Sequence, residues 1–489
     1  MRRTAAPARR YCPGILVAGV DTSTQATKVP VVDPDSGRVV ATGRAPHEVT
    51  GSGGARETDP EVWWRALAEA LAECGAAGEV AAISVAGQQH GLVTLDGDGR
   101  PLRPAILWND TRSAAEAREL TDALGGAAEW AERVGLVPVP SFTATRWAWL
   151  RRHEPQHAAA ARAVRLPHDF LTERLCGHAA TDRGDASGTA WWSTRDEEYV
   201  GDVLDLIGLE PALLPDVLGP REAAGEVGAS AARELGLRPG AVVGPGTGDN
   251  MGAALGLGAR PGEPVVSLGT SGTAYAVMER RAVDPTGTVA GFADASGRFL
   301  PLAATLNATL AVDRVAAWLG LDREAAADKT SVVVLPYLDG ERTPNLPRAA
   351  GMVAGLRHAT TREEILLAAY EGAAASLVEA IDLLGEQGSG LDPDAAILLV
   401  GGGARGSVWQ RTVARLSGRT VQVPEAEELV ALGAAAQAAA CLSGEAPEEV
   451  ARRWDTRRGV TVEAPVERDL EALERIQATR EATLALHEG

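Results

Sequence analysis

Lysine is almost missing from this 489-residue chain: Lys28 and Lys329 are the only two among 47 basic residues. Neither follows a glycine, so the Gly-Lys-Ser/Thr core of a Walker A loop is excluded, and a Schiff-base mechanism has two candidate amines at most. Cysteine is also scarce. Cys12, Cys74, Cys176 and Cys441 lie far apart with no Cys-x-x-Cys pair, which sets aside disulfide frameworks and zinc-finger spacing and fits a reducing compartment. No apolar window approaches the roughly 18–20 residues of a membrane helix. Residues 15–20 are too few for a secretory core and run into Asp21. The basic stretch at residues 1–13 reads as a disordered extension and the chain as cytoplasmic. Positive charge is in deficit too, 47 Lys and Arg against 66 Asp and Glu, for a net charge of −19. That balance argues against nucleic acid or an anionic membrane as partner, while leaving room for a small anionic ligand in a local pocket.

What is present is an ordinary globular composition, 45% apolar and 23% charged, at a length that suits two to four domains. Ile15-Leu-Val-Ala-Gly-Val20 is a short apolar run ending in turn-forming residues, the signature of a buried strand. Val29 to Val32 reads as a second strand, in which Pro30 must sit at an edge or a bulge because it has no N–H for a ladder. Thr58-Asp59-Pro60-Glu61 is a helix start, with a capping side chain, proline in the first turn and an acid at the positive end of the dipole. Trp63, Leu67 and Leu71 follow on one face. Val80 to Ala86 is another buried strand, and residues 113–135 and 143–163 are largely helical. This alternation predicts an α/β architecture.

The second half repeats the scheme. Pro264 to Leu268 runs into Gly269-Thr-Ser-Gly-Thr273 as Ile15 to Val20 runs into Asp21-Thr-Ser-Thr24. Ala395 to Val400 runs into Gly401-Gly-Gly-Ala-Arg-Gly406 as the strand before Gly87-Gln-Gln-His-Gly91 does. A boundary near residue 238 gives two domains of similar size, 14–238 and 239–489. Small-residue loops after strands let backbone N–H groups converge on phosphate oxygens. One such loop is an ordinary tight turn; four in matching positions point to phosphate. None is a dinucleotide fingerprint, since Gly244-Pro-Gly-Thr-Gly248 lacks the GxGxxG register. Asp21, at the end of a buried strand, is placed either to hold Mg²⁺ or to cap a turn. Asp249, after Gly248 at a helix start, is placed either to cap that helix or to act as a base kept ionised by the dipole.

These pieces resemble the FGGY carbohydrate kinases from residue 14 to about 440. The resemblance is carried by Ala86-Gly-Gln-Gln-His-Gly91, Leu102 to Asp110, Leu166-Pro-His-Asp-Phe-Leu171, Gly244 to Asn250, Ser267 to Gly272, Leu335 to Pro344 and Val400-Gly-Gly-Gly-Ala-Arg405. Two further signature stretches are Ser141 to Leu150 and Gly351 to Glu371. The resemblance implies two actin-like (ribonuclease H-like) α/β domains around a central cleft, the first binding sugar and the second ATP. It implies Asp249 as catalytic base, and Gln89, His90 and Asn250 beside it on the sugar. It also implies Thr24, Gly269 and Thr270 on phosphates, Gly402, Gly403 and Ala404 on adenosine, and Asp21 on Mg²⁺. Within the family, Gly248-Asp-Asn250 with Gln89-His-Gly91 points to D-xylulose, with D-ribulose or a sugar alcohol as alternative substrates. A non-kinase ATPase of the actin fold is the alternative from another class, and a homodimer is compatible with the resemblance. Two departures stand out. Ser23 takes a position that is commonly glycine, adding bulk where backbone approaches phosphate. Gln89 takes one that is often methionine, turning an apolar pocket wall into an amide.

Overall fold

The computed structural model describes residues 14–388, 390–464 and 467–487; the extension expected at 1–13 lies outside the described residues. The chain forms two compact units. The first comprises the chain up to Ala259 together with Gly291–Arg298 and Glu427–Thr456, and the second comprises Arg260–Ala290, Phe299–Ala426 and the chain from Arg457 onward.

In the first unit the strand Leu16–Thr22 is buried along its whole length. It pairs antiparallel with Ala26–Val32 and parallel with Val80–Gly87. Val39–Pro46 extends the sheet on one side; Val242–Val243 and then Gly225–Glu226 extend it on the other. Pro30 is not at an edge, since its strand lies between two others. The ladder to Leu16–Thr22 lapses between the Ala18–Val31 and Asp21–Lys28 pairs, so the missing N–H falls where no bond is made. A bulge follows between Val31 and Val32. The helix Pro60–Cys74 begins as its sequence dictates, with the Asp59 carboxylate accepting from the Glu61 N–H, and ends on a left-handed Gly75. Trp63, Leu67 and Leu71 are buried in the core of this unit, each contributing roughly 1.5–3 kcal/mol of apolar burial.

The helix Leu429–Ser443 also belongs to the first unit. Its residues from Ala431 to Ala440 are buried, and its fit depends on missing side chains. A Cβ at Gly19 would lie 1.8 Å from the Ala431 carbonyl oxygen, and one at Gly433 would lie 2.0 Å from that of Gly252. Such separations are far inside van der Waals contact, so the helix rests directly on the strand Leu16–Thr22 and on the helix Asp249–Gly256.

The second unit repeats the plan. Pro264–Leu268 pairs antiparallel with Gly272–Ala276 and parallel with Ile397–Val400, the relation Leu16–Thr22 has to its own two neighbours. Phe299–Thr305 continues the sheet beyond Gly272–Ala276, while Val421–Pro424 and Gly459–Val462 continue it beyond Ile397–Val400. The long helix Arg362–Gly388 buries Leu366, Tyr370, Leu377, Ile381 and Leu384 in the core of this unit. Both units are therefore mixed α/β domains of the expected actin-like type. Among the described residues no helix is long and apolar enough to cross a membrane.

Candidate active site

Asp249 opens the helix Asp249–Gly256 directly after the short strand Thr247–Gly248, which pairs with the end of the strand Val80–Gly87. One side of its carboxylate is fixed: Oδ1 accepts from the Asn250 backbone N–H at 2.8 Å and from Asn250 Nδ2 at 3.0 Å. Oδ2 has no hydrogen bond among the described residues. Asp249 is half-buried. Burial, then the negative charges of Asp21 and Asp185, push its pKa up to about 7 against the opposing Asn250 bonds. A carboxylate with one oxygen anchored, the other open and a pKa near neutrality is equipped to take a proton.

Asn250 Nδ2 also donates to Gln89 Oε1 at 2.8 Å, so Gln89, Asn250 and Asp249 form one hydrogen-bonded chain. Gln89 Nε2 is buried without an acceptor among the described residues. His90 stands beside Gln89 in the left-handed region at φ 67°, a conformation that costs a non-glycine residue roughly 1–2 kcal/mol. Its carbonyl is held by Thr143 Oγ1 at 3.1 Å and Arg146 Nη1 at 2.7 Å. Its ring packs edge-on against Phe142 and near Phe292, with centroids 5.2 and 5.6 Å away. Arg146, only 1% exposed, spends its guanidinium on three carbonyls, those of His90, Ser141 and Trp108. Burial pulls its pKa down to about 9, opposed by Asp110. Trp108 in turn donates from its indole to Thr24 Oγ1 at 3.1 Å.

Asp21 is the penultimate residue of the buried strand Leu16–Thr22. Its Oδ1 has no hydrogen-bond partner among the described residues, and Lys28 Nζ lies 3.9 Å from its other oxygen while pairing with Glu428 at 2.6 Å. Burial raises the Asp21 pKa to about 7, Lys28 lowers it and Glu428 raises it. A buried carboxylate oxygen left without a donor fits a divalent cation. Among the described residues no group of three His, Cys, Asp or Glu side chains forms a metal cage. Mg²⁺ suits such a place, because it is commonly held by one or two carboxylates, water and substrate phosphates.

A buried histidine lies against Gly246, in the turn that precedes Asp249. His168 is fully enclosed, with Nδ1 2.8 Å from Asp185 Oδ2 and Nε2 3.2 Å from Asp169 Oδ1. Burial works against its charge, but Asp169, Asp185 and Asp182 outweigh burial and hold its pKa at about 9. Asp182 accepts from Thr247 Oγ1 at 2.9 Å, two residues before Asp249.

The remaining predicted residues come together within the second unit. The carbonyl of Gly269 accepts from the Thr309 hydroxyl at 2.7 Å, and that of Thr270 from the N–H groups of Ala308 and Leu310 at 3.4 Å. Gly269 and Thr270 are exposed, as is Gly402. A Cβ at Gly403 would lie 2.5 Å from Thr309 Cγ2 and 3.0 Å from Leu268 Cβ, so this loop sits against the first one. Ala404 is buried, with its N–H given to Gly401 and its carbonyl accepting from Gln410. It packs beneath the loop while Gly402 faces solvent.

Two strand-loop domains with this set of loops match known models. The family model of the FGGY carbohydrate kinase N-terminal domain matches residues 16–256, and that of the C-terminal domain matches residues 265–442. The chain belongs to the FGGY family of carbohydrate kinases. It is 63% identical over 464 residues to the xylulose kinase of Streptomyces rubiginosus and 62% identical to that of Streptomyces coelicolor, covering 95% of each chain in both cases. A crystal structure of xylulose kinase from Bifidobacterium adolescentis superimposes with a TM-score of 0.82 at 36% identity, covering 95% of this chain and 99% of that one.

Several residues that hold the candidate site together are not marked individually by the sequence. Arg146 lies inside the signature stretch Ser141 to Leu150, and His168 inside Leu166 to Leu171, but nothing local says that either is fully buried. Asp182 and Asp185 lie three apart at a strand end, a spacing that reads equally well as a helix cap. Gln437 is one polar residue in the run Leu429 to Ala440, and its polarity was the available signal.

Proposed function

We propose that this kinase transfers the γ-phosphoryl group of ATP to the C5 hydroxyl of D-xylulose, giving D-xylulose 5-phosphate and ADP, with Asp249 as general base. The observation that carries the mechanism is the Gln89–Asn250–Asp249 chain. It anchors Oδ1 and leaves Oδ2 for a substrate hydroxyl. The C5 oxygen attacks phosphorus in line, the bond from phosphorus to the ADP oxygen breaks, and the hydroxyl proton passes to Asp249 Oδ2. The sugar assignment is supported by relatives of 62–63% identity that are named xylulose kinases. His90, Asn250 and Gln89 read the sugar; the buried Gln89 Nε2 offers a donor that a hydroxyl can satisfy. Thr24, Gly269 and Thr270 take the phosphates, and Gly402 and Gly403, over Ala404, take the adenosine. Asp21 would hold Mg²⁺, which would supply positive charge against the phosphate oxygens.

The test is Asp249→Asn. It lowers kcat by roughly 10²–10⁴, the usual range for a lost general base, with a melting temperature no lower than that of the wild type, since a carboxylate whose pKa burial raises is itself destabilising above that pKa. A near-normal kcat identifies Asp249 as a helix-start residue alone.

A further inference from the structure

Between Ala431 and Ala440 the helix Leu429–Ser443 carries a single polar side chain, Gln437, and it is 0% exposed. An amide buried so completely must be paired, and this one is paired at both ends. Nε2 donates to the Gly246 carbonyl at 3.0 Å. Oε1 accepts from Ser84 Oγ at 3.1 Å. Ser84 Oγ itself accepts from the Gly246 N–H at 3.2 Å. The three side-chain and backbone partners close a ring around one residue, Gly246, both of whose peptide groups are claimed.

Gly246 cannot be exchanged for a larger residue. It sits at φ 78°, and a Cβ there would lie 2.4 Å from His168 Cδ2 and 2.8 Å from the Val85 carbonyl oxygen. The next residue, Thr247, is tied to Asp182. Two residues later comes Asp249. The turn that delivers the carboxylate is thus gripped at successive residues by side chains from the strand Val80–Gly87, from Asp182 and from the helix Leu429–Ser443.

We propose that Gln437, with Ser84, is a positioning residue for Asp249: through Gly246 it sets where the Asp249 carboxylate stands relative to the substrate hydroxyl. The proposal rests on the reading of Asp249 as general base. Gln437 acts only through the turn, so its contribution exists only while Asp249 has a proton to accept.

A double-mutant cycle on the full-length enzyme tests this. Gln437→Met keeps the volume and removes both bonds; Ser84→Ala removes one oxygen and carries the test should Gln437→Met not fold. Each lowers kcat about tenfold, since small misplacements of a reacting group are expensive, with KM for ATP within twofold of wild type. In the Asp249→Asn background neither lowers kcat further by more than twofold. An equal fold-loss in both backgrounds overturns the proposal and leaves Gln437 as scaffold, as does a kcat within twofold of wild type in both single variants. A near-normal kcat for Asp249→Asn alone is a separate result, which overturns the reading of Asp249 and this proposal with it.

Discussion

Replacing Arg146 tests how the wall proposed for the sugar is held. Its guanidinium bonds three carbonyls at 2.7, 2.5 and 2.6 Å, those of His90, Ser141 and Trp108, and no carboxylate lies within ion-pair distance among the described residues. In Arg146→Met the His90 carbonyl keeps the Thr143 hydroxyl, while those of Ser141 and Trp108 lose the guanidinium. Each stranded carbonyl costs about 1–3 kcal/mol. Part of that is offset because a cation without a counter-ion is no longer buried, so the net loss of stability is about 2–3 kcal/mol. The larger consequence is for His90. Its left-handed backbone is held against its own preference, and with one of two anchors gone it relaxes away from the sugar. One lost sugar hydrogen bond of about 1–3 kcal/mol is a factor of about 10–100 in kcat/KM. Steady-state assays with the sugar varied, then ATP varied, therefore show KM for the sugar rising about tenfold or more with KM for ATP unchanged. A lowered melting temperature with both KM values unchanged refutes the reasoning and makes Arg146 a purely structural clamp.

Two further outcomes follow from the carboxylates. Burial and the charges of Asp21 and Asp185 favour protonated Asp249, so its base function is lost as pH falls through about 7. kcat/KM for the sugar then drops about tenfold per pH unit below that point, and a profile flat from pH 8 to 5.5 contradicts the assignment. Asp21 is likewise raised from 3.8 to about 7. Its contribution to stability is full below its unfolded value and is lost as pH rises through about 7. Asp21→Asn is expected to gain stability at pH 8, by at most about 4 kcal/mol, while losing activity; calorimetry showing a lower melting temperature at that pH counts against a destabilised carboxylate.

Much of this molecule is legible in its sequence because the chemistry is local. Apolar runs stop at Gly87, Gly269 and Gly401, where the strands stop and the small-residue loops begin, and at Asp21, one residue before the first strand ends at Thr22. That Asp249 opens a helix is legible because a carboxylate follows Gly248 ahead of a small-residue helical run. What depends on distant packing is not. The place of the helix Leu429–Ser443 against Gly19, Gly252 and Gly256 comes from glycines that look unremarkable one at a time. Pro30 reads as an edge or bulge residue because its missing N–H is a local fact, whereas the lapse in the ladder that tolerates it inside the sheet belongs to the pairing with the opposite strand. His168 owes its charge to three carboxylates, only one of them its neighbour in sequence.

The central claim, a kinase that reads D-xylulose through His90, Gln89 and Asn250 and deprotonates it with Asp249, is tested most directly by one comparison. Purified enzyme with saturating ATP and Mg²⁺ is assayed side by side on D-xylulose, D-ribulose, glycerol and gluconate for kcat/KM. D-Xylulose is expected to lead, exceeding its C3 epimer D-ribulose by at least about tenfold, because a buried hydrogen-bonding group left unpaired by the epimer costs roughly 1–3 kcal/mol. The highest kcat/KM falling to D-ribulose, glycerol or gluconate would contradict the sugar assignment.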